Sequence, residues 1–163
     1  MFDIILYQPE IPPNTGNIIR LCANTSARLH LVGPYGFKLE DAQLRRAGLD
    51  YHDLARVWEY HDWEDFRQHH PHKKLWAFST KGQRRYDQVA YQPDDGLVFG
   101  PESRGLSEDL LHSLGQKQVL RLPMQRGSRS LNLSNTVAIA LYEALRQADF
   151  KGLDCKFPGA NPA

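Results

Sequence analysis

The chain has 163 residues, 41% hydrophobic and 24% charged, with a formal net charge of +1. This is one domain of ordinary size with enough apolar material for a real core, and no run reaches the roughly 18 apolar residues of a membrane span. So small a net charge excludes long-range attraction of a polyanion by the whole molecule; any nucleic-acid contact must come from local clusters of cations. In chain order, Phe2 to Tyr7 (FDIILY) is a short apolar run rich in β-formers and reads as a buried strand, with no basic segment that would make it a signal peptide. Pro9, Pro12 and Pro13 force a loop. Asn14 is expected to cap a helix of about three turns whose apolar face is Ile18, Ile19, Leu21 and Cys22. Leu29 to Val32 is a second strand closed by Gly33-Pro34. A short helix is expected over 40–47, ending at Gly48, and a strand over Val57 to Tyr60. Asp62 caps a helix that runs toward Pro71. Leu75 to Ser79 is a strand, Gln88 to Asp95 is polar and turn-like, and Leu97 to Phe99 is a strand leading into Gly100-Pro101. Ser107 caps a helix over 108–114 that Gly115 closes. Val119 to Leu122 is the last strand, a loop covers Pro123 to Ser130, and a final helix runs from Leu133 to about Phe150. The tail from Gly152 is expected to fray.

Strands alternating with helices predict an α/β fold with a mainly parallel sheet flanked by helices, in a single domain over 1–152 with a flexible tail over 153–163. In such sheets ligands bind outside the carboxyl ends of the strands. Three strand-to-helix junctions are rich in chemistry there: Pro13-Asn14-Thr15-Gly16-Asn17 with Arg20, Phe99-Gly100-Pro101-Glu102-Ser103-Arg104-Gly105-Leu106, and Leu122-Pro123-Met124 followed by Ser128-Arg129-Ser130-Leu131-Asn132-Leu133-Ser134-Asn135. Connection alone needs only turn residues. No GxGxxG, GxxxxGK[ST] or GxSxG is present, which argues against a Rossmann site, a P-loop and a hydrolase elbow. His69, His70 and His72 are interrupted by Pro71 and read as a solvated loop, so no metal site is expected. Cys22 and Cys155 lie outside any CxxC spacing and fit a reduced, cytoplasmic protein without a disulfide. The cation clusters are Arg45-Arg46, Lys73-Lys74, Lys81 with Arg84-Arg85, and Arg126 with Arg129.

The three junctions resemble, in this order, those of the SPOUT methyltransferases, and within them the TrmH-like 2'-O-methyltransferases. The opening ILYQPEIPPNTGNIIRLCANT, the central LVFGPESRGL and the closing LPM…SRSLNLSNTVAIALYEALRQ are similar to the small TrmL/YibK group, over about residues 2 to 150. The resemblance implies a deep C-terminal trefoil knot, an exception to the rule against threaded chains. It implies S-adenosylmethionine as cofactor and a homodimer that shares its RNA site. It also implies methylation of the wobble ribose, at cytidine or uridine 34, of leucine tRNAs, read through the anticodon loop. A different tRNA or ribosomal RNA ribose, and a non-catalytic RNA-binding knot, are the alternatives.

On that reading Arg20, Asn14 and Glu102 serve the chemistry. Arginine is too basic to act readily as a base, so Arg20 binds the phosphate beside the target ribose and makes that phosphate, or a neutral arginine, the proton acceptor. Asn14 orients the ribose or Arg20. Glu102, with Ser103, shapes the cofactor loop, offsets the sulfonium or pairs with Arg20. Arg104 is a phosphate contact or an ion pair. Cofactor contacts are expected at Phe78, Thr80, Gly100, Glu102, Leu122, Met124, Ser130, Leu131, Ser134 and Asn135. RNA contacts are expected at Arg20, Arg84, Arg85, Arg126 and Arg129, beside Lys81. Tyr142 belongs to the core or a dimer interface.

Overall fold

The computed structural model describes residues 1–39, 51–54 and 56–155. In chain order the elements are β1 (Asp3–Tyr7), α1 (Pro12–Thr25), β2 (Arg28–Val32), α2 (Tyr51–Leu54), β3 (Val57–Tyr60), α3 (Trp63–His69), β4 (Leu75–Phe78), β5 (Arg84–Arg85), β6 (Gly96–Phe99), α4 (Glu108–Leu114), β7 (Val119–Arg121) and α5 (Leu133–Gln147). The helix expected over 40–47 and the Arg45-Arg46 pair lie outside the described residues.

All strand pairings are parallel, in the order β3-β2-β1-β6-β4-β7-β5. Side chains alternate across the pleat, and the alternation sorts them into two cores. Ile4 and Leu6 of β1, Trp76 and Phe78 of β4, and Leu97 and Phe99 of β6 face one side, where Ile18, Ile19 and Cys22 of α1 and Val137, Ala140, Leu141 and Ala144 of α5 cover them. Ile5, Leu75, Ala77 and Val98 face the other, against Phe66 of α3 and Leu110 and Leu111 of α4. The result is a three-layer α/β/α sandwich. Burial pushes the Cys22 thiol up to about 12, and Cys22 and Cys155 are both free. Because β2 and β3 lie beyond β1 of the β1–β6 pair while β4, β7 and β5 lie beyond β6, the chain reverses its direction of winding there. The carboxyl ends of β1, β6, β4 and β7 open on one edge, as a binding crevice requires.

Several local expectations are corrected. Helix α1 begins at Pro12, not Asn14, and its cap residue Ile11 makes no side-chain cap. Prolines fit the first helical turn because their fixed φ suits it and their missing N–H has no partner there anyway. Gln88 to Asp95 is no mere polar turn: Val89, Tyr91 and Asp95 are buried, the Asp95 carboxylate accepting from Trp76 Nε1 at 2.8 Å. The pair Arg84–Arg85 forms an unexpected edge strand. Helix α5 ends at Gln147, ahead of Phe150, because Asp149 and Phe150 take left-handed backbone (φ 55° and 49°). His69, though solvent-exposed, is the last residue of α3 and not loop, and His70 packs edge-on to His30 and Tyr60, its ring nitrogen 2.9 Å from Tyr60 Oη, so it is not freely solvated. The caps at Asp62 and Ser107 form as expected, with acceptor distances of 2.9 and 3.2 Å.

Candidate active site

A cavity of about 440 Å3 opens at the carboxyl edge of the sheet. Its floor is apolar: Phe78 and Phe99 stack at 4.8 Å between ring centres, with Leu106 and Leu122 beside them. Loops after four strands supply its rim. Ile11 and Asn14 follow β1, Ser79 to Lys81 follow β4, Gly100 to Gly105 follow β6, and Met124 and Ser130 to Leu133 follow β7. The volume and the apolar floor with a polar rim are those of a small-molecule site. At Gly100 an added Cβ would stand 2.4 Å from the backbone of Gly105 and Leu106, so only glycine lets the 101–106 loop fold back and shape the cradle.

One side chain ties three loops together. Asn14, 6% exposed, donates through Nδ2 to Glu102 Oε1 at 3.3 Å and accepts through Oδ1 from Asn132 Nδ2 at 3.0 Å. Asn132 in turn caps α5: its Oδ1 accepts from Ser134 N–H at 2.9 Å, Ser134 Oγ at 2.6 Å and Asn135 N–H at 3.4 Å. The Glu102 carboxylate also accepts from the N–H groups of Glu10 at 2.8 Å and Ile11 at 3.1 Å. A carboxylate at the first turn of α1 suits the positive end of that helix.

The structure sorts the expected site residues. Asn14, Phe78, Thr80, Gly100, Glu102, Leu122, Met124, Ser130 and Leu131 all line the cavity. Ser134 and Asn135 stand one turn back, held by Asn132, and do not line it. Arg20 is exposed on α1, outside the lining. The expected option of a Glu102–Arg20 pair is corrected: backbone amides and Asn14 hold the carboxylate instead. Lys81 reaches the rim and meets Glu108 at 3.0 Å. Of the RNA candidates, Arg126 and Arg129 are exposed in the loop before α5. Arg84 donates to Gln88 O at 3.0 Å, and Arg85 forms a two-pronged pair with Asp87 at 2.5 and 3.1 Å. The Lys73-Lys74 cluster is structural: Lys73 bonds the Asp3 carboxylate, and Lys74 lies 3.8 Å from Asp95 and 4.5 Å above the Trp76 ring. Among the described residues no three His, Cys, Asp or Glu side chains gather as for a metal.

Sequence reasoning missed Glu10 and gave Asn132 no distinct role. The Ser103 hydroxyl and N–H hold the Glu10 carboxyl below its ordinary value, aided by the charge of Arg104. The only signal for Glu10 was a carboxylate set between prolines, where no helix end needed it.

Residues 1–142 match the model of the SpoU rRNA Methylase family. The chain is 56% identical over 152 residues to the tRNA (cytidine(34)-2'-O)-methyltransferase of Methylovorus glucosotrophus, covering 93% of this chain and 99% of that protein. A solved structure concerned with the 2-OH methylation of C/U34 on tRNA superposes with a TM-score of 0.84 at 40% identity, covering 91% of each chain. An AdoMet-bound rRNA methyltransferase from Sinorhizobium meliloti superposes with a TM-score of 0.78 at 25% identity, covering 89% of this chain and 56% of that one. Together these show that the chain belongs to the SpoU methylase family, among the TrmH-like 2'-O-methyltransferases of the SPOUT fold.

Proposed function

We propose that this protein methylates the 2'-hydroxyl of nucleotide 34, cytidine or uridine, in leucine tRNAs, using S-adenosylmethionine. The observation that carries the reading is the Glu102–Asn14–Asn132 bridge around an apolar-floored cavity, in a chain so close to wobble-ribose methyltransferases. A binding module has no need for three loops to be locked to one another around a cavity. When bound, the cofactor supplies an electrophilic methyl group. The chain's own residues do the rest. Backbone groups near Phe78 to Thr80, Gly100, Leu122, Met124, Ser130 and Leu131 hold the adenosine, and Ser134 and Asn135 stand behind them toward the methionine end or the nucleotide. The stacked phenyl rings exclude water, and such positioning contributes about 7–11 kcal/mol to a two-reactant step.

The hydroxyl must lose its proton as its oxygen bonds to carbon. Arg20 is the proposed partner of that event: it binds the phosphate beside the ribose, and the proton passes to that phosphate or to a neutral arginine. Its exposure on α1 suits a group that meets RNA arriving from outside. Arg84, Arg85, Arg126 and Arg129 are proposed phosphate contacts along the anticodon loop. The knot, the homodimer with a shared RNA site, a single domain over 1–152 and a cytoplasmic location complete the proposal. The sheet reverses its winding where the loops crowd, and no helix among the described residues is long and apolar enough to cross a membrane.

The test is incubation with S-adenosylmethionine and total tRNA from a strain lacking the gene, read by nucleoside mass spectrometry beside Arg20→Ala. New 2'-O-methylcytidine or 2'-O-methyluridine at position 34 of leucine tRNAs, absent with the variant, is expected. Methylation elsewhere would replace the substrate. No methylation of any RNA would overturn the enzyme.

A further inference from the structure

The loop after β1 and the loop after β6 exchange carboxylates. Glu102 accepts from the Glu10 and Ile11 amides, and Glu10 returns the contact: its Oε2 accepts from Ser103 N–H at 2.9 Å and its Oε1 from Ser103 Oγ at 2.8 Å. Arg104 closes the exchange, with Nη1 at 3.5 Å from Glu10 Oε1 and Nη2 donating to Gln8 Oε1 at 2.6 Å. Gln8 itself holds left-handed backbone, φ 50°, which a glutamine adopts at some cost. Glu10 does not line the cavity, whereas Ser103 and Arg104 do. Arg104 is 62% exposed there, and the exposed Lys81 and Arg121 share the rim with it. Three cations therefore stand around an apolar floor, and one of them has one guanidinium nitrogen hydrogen-bonded to Gln8 and the other in an ion pair with Glu10, which also holds Ser103.

We propose that Glu10 is a positioning residue that pre-sets Arg104 at the cavity rim to take a phosphate of the RNA flanking the target ribose. The inference rests on the RNA-methyltransferase reading above. A guanidinium held in place loses less side-chain freedom when an anion arrives. Among the described residues its Nε–H has no hydrogen-bond partner, which leaves that donor for the anion. The sign of the effect separates this role from simple electrostatics. Glu10 is an acid beside the path of a polyanion, so deleting it removes repulsion and should tighten RNA binding. As a clamp on Arg104, its deletion weakens binding instead.

The experiment measures anticodon stem-loop affinity against salt, S-adenosylhomocysteine affinity, and kcat and KM, for wild type, Glu10→Ala, Glu10→Gln, Arg104→Ala and the Glu10→Ala/Arg104→Ala double variant. Expected are a three- to ten-fold weaker RNA affinity for Glu10→Ala, and a salt slope shallower by about 0.7, the value of one single-stranded phosphate contact. Arg104→Ala should match it, the double variant should add nothing further, and Glu10→Gln, which keeps one acceptor oxygen, should fall between. Affinity for S-adenosylhomocysteine should stay within two-fold. Tighter RNA binding by Glu10→Ala, additive losses in the double variant, or a loss confined to S-adenosylhomocysteine would overturn the inference; the last would assign Arg104 to the cofactor carboxylate. If Glu10→Ala does not fold, Glu10→Gln against Arg104→Ala decides by the same slope. A wild type that binds S-adenosylhomocysteine but no RNA would sink the functional reading, which is a different result from a wild-type slope that Glu10 leaves unchanged.

Discussion

Asn14 shows how much one side chain can decide. It is buried, its amide nitrogen serves the loop after β6, and its amide oxygen serves the loop after β7. Asn14→Ala removes both hydrogen bonds, each worth about 0.5–1.5 kcal/mol net, while water can take the freed Nδ2 of the exposed Asn132. Asn14→Asp is the sharper variant, because it sets a second carboxylate against Glu102. We expect Asn14→Ala to lower the melting temperature by a few degrees and kcat/KM by ten- to a hundred-fold, with Asn14→Asp worse in both; melting curves and single-turnover methylation check this. An Asn14→Ala protein with wild-type kcat/KM would reduce the residue to scaffolding. Asn14 and Glu102 were legible in the sequence because each sits in a polar run directly after an apolar strand, where connection needs no such group. Their mutual contact was not, since hydrogen bonds between residues 88 apart leave no periodicity to read. The same reason hid Glu10, whose partner Ser103 is 93 residues away, and left Asn132 undistinguished from the serine and asparagine that it actually holds.

At the scale of elements, the central strands were readable because buried parallel strands are short apolar runs bounded by turn residues. The start of α1 was not, because prolines that break a helix in its interior begin one at its first turn. Strand β5 carries two arginines and no apolar residue, so only its pairing with β7 defines it. The Lys73-Lys74 pair illustrates a second limit: composition shows charge, while only packing shows its partner. Asp3, 1% exposed at the start of β1, ties β1 to β2 through Arg28 and to the approach of β4 through Lys73, with His30 Nε2 at 3.4 Å. Burial alone would raise its carboxyl, but His30, Arg28 and Lys73 outweigh it and hold the group well below the usual carboxylate range. The ionised form is the bonded form. Its contribution is therefore complete above the unfolded value of about 3.9 and drains away as pH falls toward the lower folded value. Asp3→Asn should cost about 3–5 kcal/mol at neutral pH, the loss typical of breaking a buried pair. It should also flatten the stability profile between about pH 4 and pH 2. Urea unfolding at stepped pH measures both, and a variant that keeps the wild-type acid slope would transfer that slope to other carboxylates.

At the scale of the molecule, the site is open on the side where α5 begins, and α5 carries more apolar surface than its own chain covers. Val137, Ala140, Leu141 and Ala144 are buried against the sheet, while Ile139 and Tyr142 stand 39% and 47% exposed, with Leu131 at 41% just ahead of the helix. Leu131 and Ile139 also border a second cleft with Arg85, Tyr86, Leu122 and Pro123, and Leu131 and Leu122 line the main cavity as well. A surface that is apolar, helical and continuous with the site is what a second copy would cover if the homodimer proposed above shares its RNA site. Buried apolar residues at the centre of such a patch carry most of the binding energy. Ile139→Lys puts a charge there without adding repulsion toward RNA. We expect light scattering to show a dimer for the wild type and a monomer for the variant, with methyl transfer lost and a lower melting temperature that, unlike the wild type's, does not change with protein concentration. A variant that is monomeric and fully active would separate assembly from catalysis, and one that remains dimeric would move the interface away from α5. The variant's positive charge makes the outcome informative in either direction: an RNA affinity that falls despite the added lysine can come only from a lost partner surface or a distorted site, and S-adenosylhomocysteine binding by the monomer tells the two apart.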